Sequence, residues 1–405
     1  MVGAAAVWDG VMTQPAGPIR LGMVMPSSNT RAEPATHRML VAAPHVSVHV
    51  TRVPVTRIAQ ADGAFDVAMF RQAGELLADA GVDAVAWNGT SGSWMGLDHD
   101  RSVVDALSDA TGAPATTSTL AVLDAFAAYG CSRVCVAVPY TSDVAALITE
   151  TYRGAGVEVV GSDSLGLVEN VDVGALTADE IAGQVHRAAD GNDIHAAAVV
   201  CTNVDATMLA PRIERELGVP VVDSITATLW RTLQLAGDRR TRIDGYGRLT
   251  DDGALRVLLQ ELTDDLLART GADRTTLRID LPAHDLHVDL AAAEAARPGV
   301  RSIRHDPGLD QRSLDTVAWL EEHRRPLAQP HFREPPAAPQ ALRDHYGVQA
   351  QMLGPVVIDD RLAGWFSAHS LTEREWSAAD VEHLTRAAAR ACEVIVLWET
   401  LERSG

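Results

Sequence analysis

RLGMVMPSSNTRAE (20–33) and RVCVAVPYTSDVAA (133–146) are two copies of one pattern: an apolar run that ends in proline and passes into hydroxyl-rich residues ahead of a helix. A second pair follows each copy. AVAWNGTSG (84–92) and AAVVCTNVD (197–205) are apolar runs that open into small polar loops. Pro26 and Gly89 lie 63 residues apart, and Pro139 and Cys201 lie 62 apart, so order and spacing agree. The repeat predicts two similar halves.

Working outward, the runs IRLGMVM, VSVHVTRV, DAVAWN, RVCVAVP, VEVVG, IHAAAVV and VPVVDS alternate with helix-like segments at 65–80, 100–111, 119–129, 143–155 and 207–217. Continuous apolar strands between helices signal a parallel sheet covered on both faces. The expected fold is therefore α/β, with two pseudo-symmetric parallel-sheet halves whose strand C-termini face one crevice, where ligands bind in open parallel sheets. The first half takes residues 19–118 and 225–237, the second takes 119–224, and residues 1–18 read as a loose leader. AGDRRTRIDGYGRLTDDG (236–253) is polar and Gly-rich and marks a boundary, with 238–253 as linker. Beyond it, 254–405 reads as a separate α+β domain: a helix at 254–269, strands at LRIDL and LHVDL, a helix at 313–325, a hairpin about Asp359-Asp360, and a Ser-capped helix at 377–402.

Composition narrows the chemistry. The 405 residues suit two or three domains. All 34 basic residues are arginine, which excludes Schiff-base chemistry, a pyridoxal-lysine site and a Walker A lysine. A net charge of −20 disfavours nucleic acid and anionic membranes as partners. The four cysteines show no metal spacing and a large core needs no disulfide staples, so a reducing cytoplasm is expected; no HExxH or GxGxxG occurs, so no metal site is expected, and no apolar run reaches membrane-spanning length.

Cys201 ends an apolar strand and opens a polar loop, which places its thiol at the sheet edge as a proton donor or nucleophile. Cys131, Cys135 and Cys392 fit inert packing positions. The loop Gly89-Thr90-Ser91-Gly92-Ser93 offers clustered amides and hydroxyls, the donors that stabilise a carboxylate or an enediolate. Pro26-Ser27-Ser28-Asn29-Thr30 and Pro139-Tyr140-Thr141-Ser142 add donors at matching positions of the two halves. None of these positions is basic, so anion recognition rests on neutral donors. His37, His99 and His195 have no carboxylate at useful spacing and read as surface or satisfied histidines.

The stretches GMVMPSSNT (22–30), NGTSGSWMG (88–96), ATTSTLAVLDAF (115–126), VAVPYTSDV (136–144), VVCTNVD (199–205) and GVPVVDSITATLW (218–230) together resemble the maleate isomerase and arylmalonate decarboxylase branch of the aspartate/glutamate racemase superfamily. The resemblance implies cofactor-independent work on a small carboxylate or dicarboxylate held between two halves, with one cysteine in each half of the racemases and isomerases. Cys201 takes the second cysteine position, and Gly89 falls where the first would be. Arylmalonate decarboxylases also lack the first cysteine, and there a hydroxyl and amide loop binds one carboxylate while the remaining thiol protonates the enediolate. Carried over, this implies substrate-binding roles for Gly89, Thr90, Ser91, Tyr140 and Thr202. Asn29 and Asn170 match the asparagines with which maleate isomerases grip a carboxylate.

LGPVVIDDRLAGWFSAHS (353–370) followed by Trp376-Ser377-Ala378-Ala379-Asp380 resembles a GAF domain, which implies a small-molecule effector or a dimer contact. A homo-oligomer, most simply a dimer, is the expected assembly. Three functions stay open on the sequence. The leading one is decarboxylation of a malonate-like dicarboxylate with Cys201 as proton donor. The others are cis–trans isomerisation or racemisation of a small dicarboxylate, and a non-catalytic carboxylate sensor acting through the GAF-like domain.

Overall fold

The computed structural model describes residues 17–56, 66–306 and 311–404. The leader at 1–18 lies outside them except for its last two residues. The chain divides into two compact units at Ala254/Leu255.

The first unit contains two four-stranded parallel sheets built to one plan. Strands β1 (Ile19–Pro26), β2 (Val46–Val53), β3 (Ala84–Trp87) and β4 (Ala115–Thr117) lie in the order β2-β1-β3-β4. Strands β5 (Arg133–Val138), β6 (Glu158–Ser164), β7 (Ala196–Val199) and β8 (Val221–Asp223) repeat it as β6-β5-β7-β8. Every residue of β3 and β7 is buried, as strands covered on both faces require. The edge strands β2 and β6 carry the polar residues, in keeping with partial exposure.

The last strand of each half hands its chain to a helix through a side-chain cap. Thr117 accepts from the Leu120 amide ahead of helix Ser118–Tyr129, and Asp223 accepts from the Ile225 and Thr226 amides ahead of helix Ser224–Leu235. Ile225, Leu229 and Leu233 of the second helix pack with Ile19, Leu21, Met23 and Ala86 of the first sheet, so the helix that follows the second sheet returns to close the core of the first half. Strand β4 and helix Ala178–Ala189 are among the elements not expected from the sequence. The three-residue strand β4 is too short to show periodicity. The helix Ala178–Ala189, however, carries a full capping box between Thr177 and Glu180, a T-x-x-E signal visible in the sequence.

The second unit is an antiparallel sheet of β9 (Arg274–Ile279), β10 (Ala293–Ala296), β11 (Leu327–Gln329), β12 (Ala350–Ile358) and β13 (Arg361–Ser370), in the order β10-β9-β13-β12-β11. The β12–β13 hairpin turns at Asp359 and Asp360, with φ of 47° and 63°, the double left-handed turn that matches strand twist. Helix Ala378–Ser404 starts from Ser377, whose amide donates to Asp380 at 2.9 Å while its hydroxyl accepts from the Asp380 amide at 3.1 Å. LHVDL (286–290) is not a strand. Asp285 at φ 51° turns the chain there, and only an isolated Leu281–Leu286 bridge forms.

Candidate active site

The C-terminal ends of β1, β3, β5 and β7 converge on one cavity of about 40 Å³. Gly89, Thr90, Ser91, Tyr140, Asn170, Cys201 and Thr202 all line it, together with Pro26, Val55, Trp87 and Trp94. No lining residue carries a charge. Among the described residues, the amides of Gly89, Thr90, Ser91 and Thr202 make no backbone or side-chain hydrogen bond, which leaves them available to an anion.

Cys201 is 4% exposed. Its sulfur accepts from the Asn203 amide at 3.4 Å. Burial pushes the thiol up to about 11, against opposing hydrogen bonds from Tyr140 and the Asn203 and Val204 amides. Tyr140 is itself pushed well above the usual phenol range, first by burial and then by the neighbouring Cys201. The Thr90 and Tyr140 hydroxyls are 2.8 Å apart, so a continuous chain runs from the Thr90 hydroxyl through Tyr140 to the Cys201 sulfur. Trp94 packs edge-on against Tyr140 at 5.1 Å and steadies it.

Gly89 has no room for a side chain. A β-carbon there would lie 2.3 Å from Cε2 and Cζ2 of Trp87, whose indole Nε1 donates to Ser91 Oγ at 3.2 Å. Three residues on, a β-carbon on Gly92 would lie 2.1 Å from the carboxyl carbon of Asp100. Asp100 is buried, accepts from the Thr117 hydroxyl at 2.5 Å, and is pushed up to about 6 by burial. Two close approaches thus fix the backbone of the 89–92 loop from beneath. His99 reaches the Ser91 hydroxyl at 3.4 Å, and burial lowers its basicity.

The two halves are stitched together at the cavity floor. Thr202 Oγ1 donates to the Asn88 carbonyl at 2.9 Å, and the Thr30 amide donates to Asn203 Oδ1 at 2.9 Å. Asn170 Nδ2 donates to Ser28 Oγ at 2.9 Å, while its own carbonyl accepts from Asn203 at 2.5 Å. Asn29 is the one anticipated site residue that does not line the cavity. Its Nδ2 donates to the Thr202 carbonyl and hydroxyl at 3.1 and 3.0 Å, and its Oδ1 accepts from the Arg31 and Ala32 amides at 3.0 and 2.9 Å. Those four bonds use the full capacity of its amide group.

The other cysteines occupy packing positions: Cys131 donates to the His195 carbonyl, Cys135 is buried and pushed up to about 12, and Cys392 donates to the Val357 carbonyl. Pro26, Val55, Trp87, Trp94 and Asp100 were not read as site residues. Val55 is an ordinary hydrophobe in sequence, and Asp100 acts from thirteen residues beyond Trp87, across a turn that only the folded loop brings together.

Residues 21–250, more than half of the chain, match the family model described as arylmalonate decarboxylase. The chain belongs to the arylmalonate decarboxylase family. Within it, the arylmalonate decarboxylase of Bordetella bronchiseptica is 34% identical over 178 residues, covering 42% of this chain and 72% of its relative. The maleate isomerase of Pseudomonas putida is 27% identical over 246 residues, covering 57% of this chain and 96% of that one. Among solved structures, the maleate isomerase Iso from Pseudomonas putida S16 shares the fold, with a TM-score of 0.54 at 24% identity over 58% of this chain and 99% of its own. A mutant of arylmalonate decarboxylase in the liganded form gives 0.53 at 25% identity over 58% and 99%. This member of the arylmalonate decarboxylase family carries a further module, since residues 254–395 match the GAF domain. Among its described residues no helix is long and apolar enough to cross a membrane.

Proposed function

We propose that this chain is a cofactor-independent decarboxylase of a small malonate-type dicarboxylate, with Cys201 as its proton donor. The observation that carries the reading is the pairing of Gly89 with Trp87. The position that would hold a second thiol has its space filled by an indole, while Cys201 remains in the same cavity.

One carboxylate of the substrate lies against the Thr90 and Ser91 hydroxyls, Tyr140 and the free amides of the loop. The other faces the apolar wall of Pro26, Val55 and Trp94. Cleavage of the bond between Cα and the second carboxyl releases carbon dioxide and leaves the electron pair on Cα, delocalised into the first carboxylate as an enediolate. The preorganised neutral donors favour that more concentrated charge over the ground-state carboxylate. Proton transfer from the Cys201 thiol to Cα completes the product, Tyr140 steadies the resulting thiolate, and water returns the proton.

The state of the thiol supports donation over nucleophilic attack. Burial pushes Cys201 up to about 11, so the neutral thiol is its resting form at pH 7. A thiol is a sufficient acid for an enediolate, whereas addition to a double bond needs the thiolate. Binding by Asn29, as an isomerase reading asks, also competes with four bonds already made within the fold. Incubation with substituted malonates, maleate and related dicarboxylates, read by product mass, tests the proposal. Loss of carbon dioxide from a malonate is the expected result. A mass-conserving conversion of maleate to fumarate would assign the isomerase instead, and saturable binding without turnover would assign a carboxylate sensor.

A further inference from the structure

The GAF domain encloses a cavity of its own, also about 40 Å³. It opens on one face of the sheet, where Thr276 and Arg278 of β9 stand beside Ser367 and Trp365 of β13. The other face is occupied, since Leu384 of the terminal helix packs directly on Gly354 of β12. The notable group is Arg278. It is 4% exposed, and its Nη1 donates to the carbonyls of Val288 and Asp289 at 2.9 and 2.8 Å. Those carbonyls supply only partial charge.

The carboxylates near enough to influence Arg278 are Glu294, Asp289 and Asp306. Glu294 is engaged by the Ser302 hydroxyl and the Ile303 amide, Asp306 by the Tyr346 hydroxyl, and the Asp289 residue is exposed. None forms an ion pair with Arg278 among the described residues, whereas the exposed Arg297 and Arg312 do find carboxylates. Burial lowers the guanidinium only to about 10, so it stays charged at neutral pH. A buried cation without a counter-ion is expensive, and partners missing from the fold point to a partner from outside. Two neutral donors in the same lining, Thr276 Oγ1 and Gln311 Nε2, are also buried without a hydrogen-bond partner among the described residues.

We infer that this cavity is a binding site for a small organic carboxylate. Its carboxylate group meets Arg278, with Thr276 and Gln311 as neutral donors, and its apolar remainder lies against Leu314, Val317 and Leu353. Membership of the GAF domain does not specify a ligand, and Arg278 is what selects an anion. The inference stands independently of the decarboxylase reading.

The test is calorimetric titration of the full chain with isobutyrate and benzoate, with isobutyramide and benzamide as neutral isosteres and inorganic phosphate as a bare oxyanion. Expected is saturable carboxylate binding that weakens at least about ten-fold in Arg278→Met and for the matched amide, and is unchanged in Thr90→Val. Should Arg278→Met fail to fold, Thr276→Val carries the test, with an expected loss of roughly three- to ten-fold for carboxylate and none for amide. The inference is overturned by any of four results. These are no carboxylate binding, binding unaltered in the folded variants, binding lost in Thr90→Val, or a preference for phosphate or amide.

Discussion

The six-membered ring of Trp87 fills the space into which a side chain at residue 89 would project, with Cε2 and Cζ2 each 2.3 Å from the β-carbon position of Gly89. The indole is 1% exposed and is held by Phe70 edge-on at 4.9 Å and by its bond to Ser91. Restoring a thiol at this position therefore forces a core ring to move. Gly89→Cys should destabilise the first unit by about 1–3 kcal/mol. Trp87→Leu removes the clash, so the double variant should be more stable than the sum of the two single changes predicts. Chemical denaturation of all four proteins measures the coupling, and additive effects would show that the ring does not guard position 89.

Tyr140 links the anion-binding loop to the thiol. Tyr140→Phe deletes both the contact with Thr90 and the donor to Cys201 while keeping the ring against Trp94. Turnover should fall by roughly ten- to a thousand-fold, as for loss of one preorganised donor, with thermal stability little changed. Steady-state kinetics beside a melting curve separate the two effects.

Asn29 serves as a strut between the halves. Replacing it with Ala removes two bonds to Thr202 and the acceptor of the Arg31 and Ala32 amides at the start of helix Ala32–Met39. A loss of about 2–4 kcal/mol is expected from the broken bonds and the orphaned acceptors. If Asn29→Ala melts like the parent but fails to bind substrate, Asn29 acts on the ligand and not on the fold.

Asp223, the register partner of Val199 in β7, is buried and pushed up to about 7, with burial the main cause and Asp205 adding to it. In the unfolded chain the same group titrates near about 4. The folded state thus holds a proton that the unfolded state has released between those values. The stability this contributes is full below about pH 4 and is lost as pH rises through about 7. Asp223→Asn mimics the protonated form and keeps an acceptor for the Ile225 and Thr226 amides. Its melting temperature should vary less than that of the parent between pH 4 and 7, and superimposable profiles would contradict the assignment.

Much of this was legible before folding because it was local or repeated. The spacing of Pro26 to Gly89 and Pro139 to Cys201 announced two equal sheets, and the short hydroxyl loops marked their crevice. Seven of the eight residues singled out do line one cavity. Asn29 stands apart because its amide is consumed by Thr202, 173 residues away, and a motif cannot reveal which bonds a side chain has already made. Trp87 and Asp100 were hidden for a related reason. Their part is to fill space beneath glycines, a relationship fixed by distance and not by residue type. LHVDL alternates like a strand, yet the left-handed turn at Asp285 and the pull of Arg278 on the Val288 and Asp289 carbonyls override the pattern.

The central claim is that the Cys201 thiol delivers the proton to the carbon that loses carbon dioxide. The direct measurement is turnover of a prochiral substituted malonate in deuterated water, followed by NMR, for the parent and for Cys201→Ala. The account predicts one deuteron at Cα in a single configuration for the parent, and a loss of about a thousand-fold or more in Cys201→Ala. Undiminished turnover in Cys201→Ala, with the deuteron still placed on one face, would contradict it.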